Sequence, residues 1–143
     1  MITAFLLATA VIPAGQSFDC TPIRVWDGDG PIWCAEGPHV RLSGIAAREM
    51  NGSCGTGHPC PDAHPIAARD ALVSQIGRPT GVSREGHILV EGPRMRCISD
   101  GSAGGSRTAA FCNSPQSGDI SCNMIKGGWA ALWQKYWRGH NCP

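Results

Sequence analysis

Two aspartates flank one glycine at Asp27, Gly28 and Asp29, directly after the β-branched and aromatic run at residues 24–26. Asp and Gly are both turn-formers, so one reading is a tight turn. The other is a metal or phosphate site at a strand end, where paired carboxylates offer hard oxygen ligands. Arginine outnumbers lysine ten to two, and its planar, always-charged fork suits phosphate better than an ammonium does. The formal charge of only +1 has no run of like charges behind it, so any attraction for an anion must come from individual arginines. Trp129, Trp133, Tyr136 and Trp137 crowd the C-terminal tail with Lys135 and Arg138 between them. Such a tail either stacks bases and binds phosphates or covers an open side of the core. The five histidines show no pairing with a nucleophile, and G-x-S-x-G, P-loop and H-E-x-x-H signatures are absent.

The eight cysteines, at positions 20, 34, 54, 60, 97, 112, 122 and 142, all follow the first 17 residues. In an exported chain an even number reads as up to four disulfides, with Cys54 and Cys60 close enough to close one loop. Zinc held by those two cysteines with His58 and His64 is the competing reading, though the spacing is not that of the usual fingers. The apolar stretch at residues 2–12 is too short to span a bilayer and fits a signal-peptide core, with Ala14, Gly15 and Ser17 where a peptidase cuts. The expected organisation is therefore a leader over residues 1–17 and one domain over 18–143, periplasmic or secreted. Neither stable membrane association nor oligomerisation is expected.

The elements that must position these residues are short. Strands are expected at 23–26, 32–35, 39–42, 94–98 and 108–112, each bounded by turn residues, with 87–92 as a further strand or ordered loop. A helix is expected from Pro65 to a stop at Gly77, with Ile66, Ala67, Ala71, Leu72 and Ile76 on its apolar face. A second begins at Asp119 as N-cap and ends at Gly127 and Gly128. The order is three strands, a helix, two strands, a helix and an aromatic tail. It predicts an α+β, mainly β domain: an OB-like five-stranded barrel packed with two or three helices and stapled by disulfides.

The segment VWDGDGPIWCAEGPHVRLSGIAARE resembles the opening of the staphylococcal-nuclease (thermonuclease) family, which runs strand, D-G-D turn, strand, then R-L-x-G-I leading to a glutamate. SRTAAFC resembles that family's G-R-x-x-A strand, and DISCNMIKGGWA its D-x-N-x-x-L-V-x-x-G-x-A helix. The likeness covers residues 21–130, with an insertion near 80–92. It implies hydrolysis of phosphodiester bonds in DNA or RNA. In that chemistry charge builds on the equatorial phosphoryl oxygens, positioned cations lower the barrier, and a carboxylate manages the attacking water. The resemblance assigns the cationic roles to Arg41 and Arg107 and the water to Glu49. It assigns calcium to Asp29, with Asp27 beside it.

One position departs from the family pattern. The family reads G-I/V-D-x-P-E before the glutamate, whereas this chain reads Gly44-Ile45-Ala46-Ala47-Arg48-Glu49. Ala46 stands where a second calcium-ligating aspartate is expected, and calcium takes about six to eight oxygens, so its site is weakened. Arg48 is then expected to supply charge to the substrate beside Glu49. Two further readings remain open at this level: a barrel that binds nucleic acid or another anion without turnover, and a small structural disulfide protein. The latter would scatter Asp29, Arg41, Glu49 and Arg107 over unrelated faces.

Overall fold

The computed structural model describes residues 9–143. Residues 1–8, which include most of the apolar stretch at 2–12, lie outside the described part. The strands are β1 (Ser17–Cys20), β2 (Pro22–Asp27), β3 (Gly30–Cys34), β4 (His39–Leu42), β5 (Ile45–Ala46), β6 (Arg78–Val82), β7 (Ile88–Glu91), β8 (Met95–Ser102), β9 (Arg107–Ser114), β10 (Gly118–Asp119) and β11 (Ala131–Leu132). Three helices join them: α1 (Pro65–Ile76), α2 (Ile120–Lys126) and α3 (Gln134–Trp137). The fold is α+β and mainly β, as expected.

One mixed sheet runs in the order β1-β8-β9-β4-β3-β2-β7-β6, with β10 beside β9 and a separate β5-β11 pair. β4 and β9 are parallel; the other ladders are antiparallel. Among the described residues no ladder joins β1 to β6, so the sheet does not close on itself, and the expected OB-like five-stranded barrel is not formed by these ladders. The physical reason lies in two strands absent from the sequence reading. β1 extends one edge by pairing with β8, and the β6–β7 hairpin extends the other. β6 contains Pro79 and Gly81 and is exposed throughout, which is tolerable only on an edge.

Strand alternation sends Val25, Ile32, Val40, Leu42, Met95 and Ala110 to one face, where α1 and α2 cover them with Leu72, Ile76, Ile120 and Met124. α1 buries Pro65, Ala68, Leu72, Val73 and Ile76; of the expected face, Leu72 and Ile76 are buried and Ala71 packs against the core, while Ile66 is 46% exposed. His64 caps α1 by accepting from the Ile66 N–H. Asp119 caps α2 by accepting from the Cys122 N–H at 2.9 Å.

All eight cysteines are paired: Cys20–Cys34, Cys54–Cys60, Cys97–Cys112 and Cys122–Cys142. The Cys54–Cys60 bond leaves no thiolates for the zinc alternative. At the other end of the chain, Ile12 donates its N–H to Thr108 and its carbonyl accepts from Ser99, while Ser17 pairs with Ile98. The segment from Ile12 to Ser17 is thus bonded to β8 and β9.

Candidate active site

The opposite face of the sheet, away from α1 and α2, carries a cavity of about 560 Å³. Its floor follows directly from strand register. Arg41 lies beside Ala109 across the parallel β4–β9 pair, and Arg107 lies one alternation away on β9. Ala109 is small, so the floor between the two guanidinium groups stays open. Asp27 and Asp29 enter from the β2–β3 turn, in which Asp27 pairs with Gly30. Gly28 is required there: a Cβ would lie 2.8 Å from the Ala68 Cβ and 2.9 Å from that of Ala47, so helix α1 presses on the turn.

Asp27, Asp29, Arg41, Glu49 and Arg107 all line this one cavity. The aspartates are almost buried, at 3% and 8% exposure. Asp29 accepts from the Ala47 N–H at 2.9 Å and from the Arg41 guanidinium at 3.2 Å. Asp27 accepts from the Asp29 N–H at 3.1 Å. Burial, then the charge of Asp29, and more weakly that of Glu49, push the Asp27 carboxyl up to about 9. The opening D-G-D is therefore a turn and also a buried pair of acids.

The two arginines are held differently. Arg41 donates to the carbonyls of Leu42 and Ile45, both at 2.6 Å, besides pairing with Asp29. Its guanidinium carbon sits 5.5 Å from the centre of the Trp133 ring. Arg107 is exposed and braced on its own hairpin, donating to the carbonyls of Ala103 at 2.7 Å and Gly104 at 3.4 Å. Glu49 is fixed through its backbone, which donates to Ser53 and accepts from Gly52. Among the described residues its carboxylate has no hydrogen-bonded partner.

Arg48 does not join the group. Its Nε donates to the Pro61 carbonyl at 2.7 Å and its Nη1 to the Gly52 carbonyl at 2.9 Å. It lines a separate depression with Asp62 and His64. The turn over residues 49–52 sends neighbouring side chains in different directions, so adjacency to Glu49 carried no spatial meaning. Ala46 is fully buried and paired with Ala131, and it is not part of the cavity wall.

Other residues complete the walls. Trp133, Tyr136 and Arg138 reach the cavity from the tail, and His58 reaches it from the Cys54–Cys60 loop, packing on Trp133 with ring centres 4.3 Å apart. Trp137 instead stands edge-on to Phe111 and covers Gly44. The tail is thus divided, with Trp133, Tyr136 and Arg138 lining the cavity and Trp137 covering Gly44 and Phe111. Cys122–Cys142 and a His140–Asp119 contact tie it down. Asp100 was not foreseen. It is the residue skipped where the β8–β9 register shifts between Ser99 and Gly101, and such a bulge re-aims a side chain. Alternation within the sequence cannot reveal a bulge.

Among the described residues, three potential metal-ligating atoms approach within 4.8 Å of one another only at Asp119, Cys122 and His140. There the sulfur is committed to a disulfide, leaving only an acid–imidazole pair. The acids of the cavity are not drawn together to that extent, but they are oxygen donors throughout, which suits a hard cation such as calcium rather than zinc. No protein-family model, curated protein or solved structure matches this chain.

Proposed function

We propose that the cavity is a phosphodiesterase site and that the chain is a nuclease acting on DNA or RNA. The observation that carries this reading is the meeting of Asp27, Asp29, Arg41, Glu49 and Arg107 in one cavity, although the first and last lie 80 positions apart in the chain. The staphylococcal-nuclease resemblance, with its OB-like kinship, assigns these residues to one site, and the shared cavity supports it. Glu49 accepts a proton from water as the water oxygen attacks phosphorus. Arg41 and Arg107 donate to the phosphoryl oxygens on which charge accumulates. The P–O ester bond then breaks, and the departing alkoxide takes a proton from solvent.

Asp27 and Asp29 would hold calcium, which supplies additional charge stabilisation when bound. Asp29 already spends one oxygen on Arg41 and the Ala47 N–H, and Ala46 contributes none, so water or substrate must complete the shell. That shortfall favours a second reading, a module that binds nucleic acid or another anion without cleaving it. Four disulfides fit an oxidising compartment, and among the described residues no helix is long and apolar enough to cross a membrane. A secreted or periplasmic location follows from the proposal.

The test is a cleavage assay on single-stranded DNA and RNA, with calcium or EDTA, comparing the native chain with Glu49→Gln. Loss of a positioned general base costs about 10²–10⁴-fold. A loss of that size with binding retained is the expected result. Binding without cleavage by the native chain establishes the second reading, and neither binding nor cleavage removes both.

A further inference from the structure

Strand register places a second row of side chains beside the cavity floor. Trp26, Pro31, Arg41 and Ala109 cross β2, β3, β4 and β9 in sequence and all line the cavity. One alternation further along the same strands, on the same face, Arg24 pairs with Trp33, Trp33 with His39, and His39 with Arg107. Three inter-strand steps of about 4.8 Å make this row roughly 14 Å long, and it lies some 7 Å from the cavity row.

The second row is a pile of flat groups ending in charge. The His39 ring stacks on Trp33 at 4.1 Å with 7° between planes, and the Arg24 guanidinium carbon is 4.9 Å from the Trp33 ring centre. His87 meets Trp33 edge-on at 5.0 Å. Among the described residues the only acid paired with the row is Glu85, itself exposed, at a loose 3.7 Å from Arg24. Arg107 belongs to both rows: it ends this one and lines the cavity. Burial of His39 and His87 lowers their basicity, so the fixed positive charge of the row is that of its two arginines.

We infer that this row is a binding track for single-stranded nucleic acid, carrying the strand from Arg107 at the cavity out to Arg24 across the outer sheet face. The inference rests on the nuclease or nucleic-acid-binding reading and specifies its substrate as an extended, unpaired strand longer than the cavity. The chemistry matches at both levels. Guanidinium groups at the two ends bind phosphates, while the partly exposed ring edges of Trp33 and His39, whose facing planes are stacked on each other, offer apolar surface without sequence preference. A rigid duplex presents its bases edge-on and stacked, and it cannot use such a surface.

The test compares the affinity of labelled oligothymidylates two and eight residues long, by fluorescence anisotropy in calcium-free buffer across a salt series. The longer strand is expected to bind at least about tenfold more tightly, since it adds the Arg24 phosphate contact and the ring-edge contacts that two residues cannot reach. Arg24→Gln should remove most of that advantage, lower the salt slope for the longer strand by about 0.7, and leave the short one unchanged. Glu85→Gln, which frees Arg24, should strengthen binding of the longer strand. Equal affinity for both lengths, or an eight-residue affinity indifferent to Arg24 and Glu85, overturns the track while leaving the cavity reading intact. Length-dependent binding without cleavage keeps the track and removes the nuclease. Failure of either strand to bind removes both.

Discussion

The buried acid at position 27 should make the protein less stable at neutral pH than its fold allows. In the unfolded chain Asp27 ionises near 3.8, whereas in the folded chain its carboxyl is pushed up to about 9. Between those values the native state holds a proton that the unfolded state has lost. Stability therefore falls as pH rises, by about 1.4 kcal/mol per unit. At pH 7 the interval already traversed is about 3 units, which sets a ceiling of roughly 4 kcal/mol, a large share of the stability of a small domain. Asp27→Asn keeps an oxygen to accept from the Asp29 N–H and never ionises. In EDTA, urea unfolding should show the variant equal to the native chain near pH 4 and progressively more stable towards pH 8.5. At pH 7 the gain should be about 1–4 kcal/mol, the lower end if water enters the site. Taking the difference between the two proteins cancels the other titrating groups they share. Calcium should narrow the gap by stabilising the native chain alone. A difference that stays flat with pH, or favours the native chain in EDTA, refutes the argument.

Three further outcomes are expected. Arg41→Gln and Arg107→Gln should both abolish cleavage, yet only the first should cost stability, by about 2–4 kcal/mol in urea unfolding. It strands two carbonyls and the Asp29 carboxylate, whereas Arg107 is exposed. Arg48→Gln should lower stability by about 1–2 kcal/mol through its lost carbonyl contacts and leave kcat/KM within about twofold. Replacing Cys122 and Cys142 together by alanine opens a loop with a sequence separation of 20, worth about 3 kcal/mol on chain-entropy grounds and measurable by denaturant titration.

Local chemistry was the legible part of this fold. Asp119 announced a helix start because a short carboxylate before an apolar run satisfies free N–H groups. The 39–42 strand was readable to the residue from its alternation and turn boundaries. What failed had causes outside the local window. β6 carries no strand signal because Pro79 and Gly81 disfavour strands, and only an edge position beside β7 permits it. Arg48 was placed at the substrate because it adjoins Glu49, but a loop gives no rule for where successive side chains point. In helix α1 the expected Leu72 and Ile76 are buried, but Pro65, Ala68 and Val73 take the place of Ile66, because small and apolar residues occupy adjoining positions and the choice belongs to the sheet beneath.

The candidate site depends on one pairing that no window of sequence contains. Period-two alternation alone puts His39 with Arg41, and Arg107 with Ala109, on shared faces of their own strands. It does not say that β4 and β9 are neighbours, still less that they run parallel with His39 opposite Arg107 and Arg41 opposite Ala109. A slip of one residue in that ladder would turn Arg107 towards the core and bring Thr108, now fully buried, out to the cavity. Such a slip is opposed from the far side, where β8 holds β9 through the disulfide between the directly opposed Cys97 and Cys112. The same bond that staples the sheet thus fixes which face of β9 Arg107 occupies, and with it the spacing between the two guanidinium groups that the proposed chemistry requires.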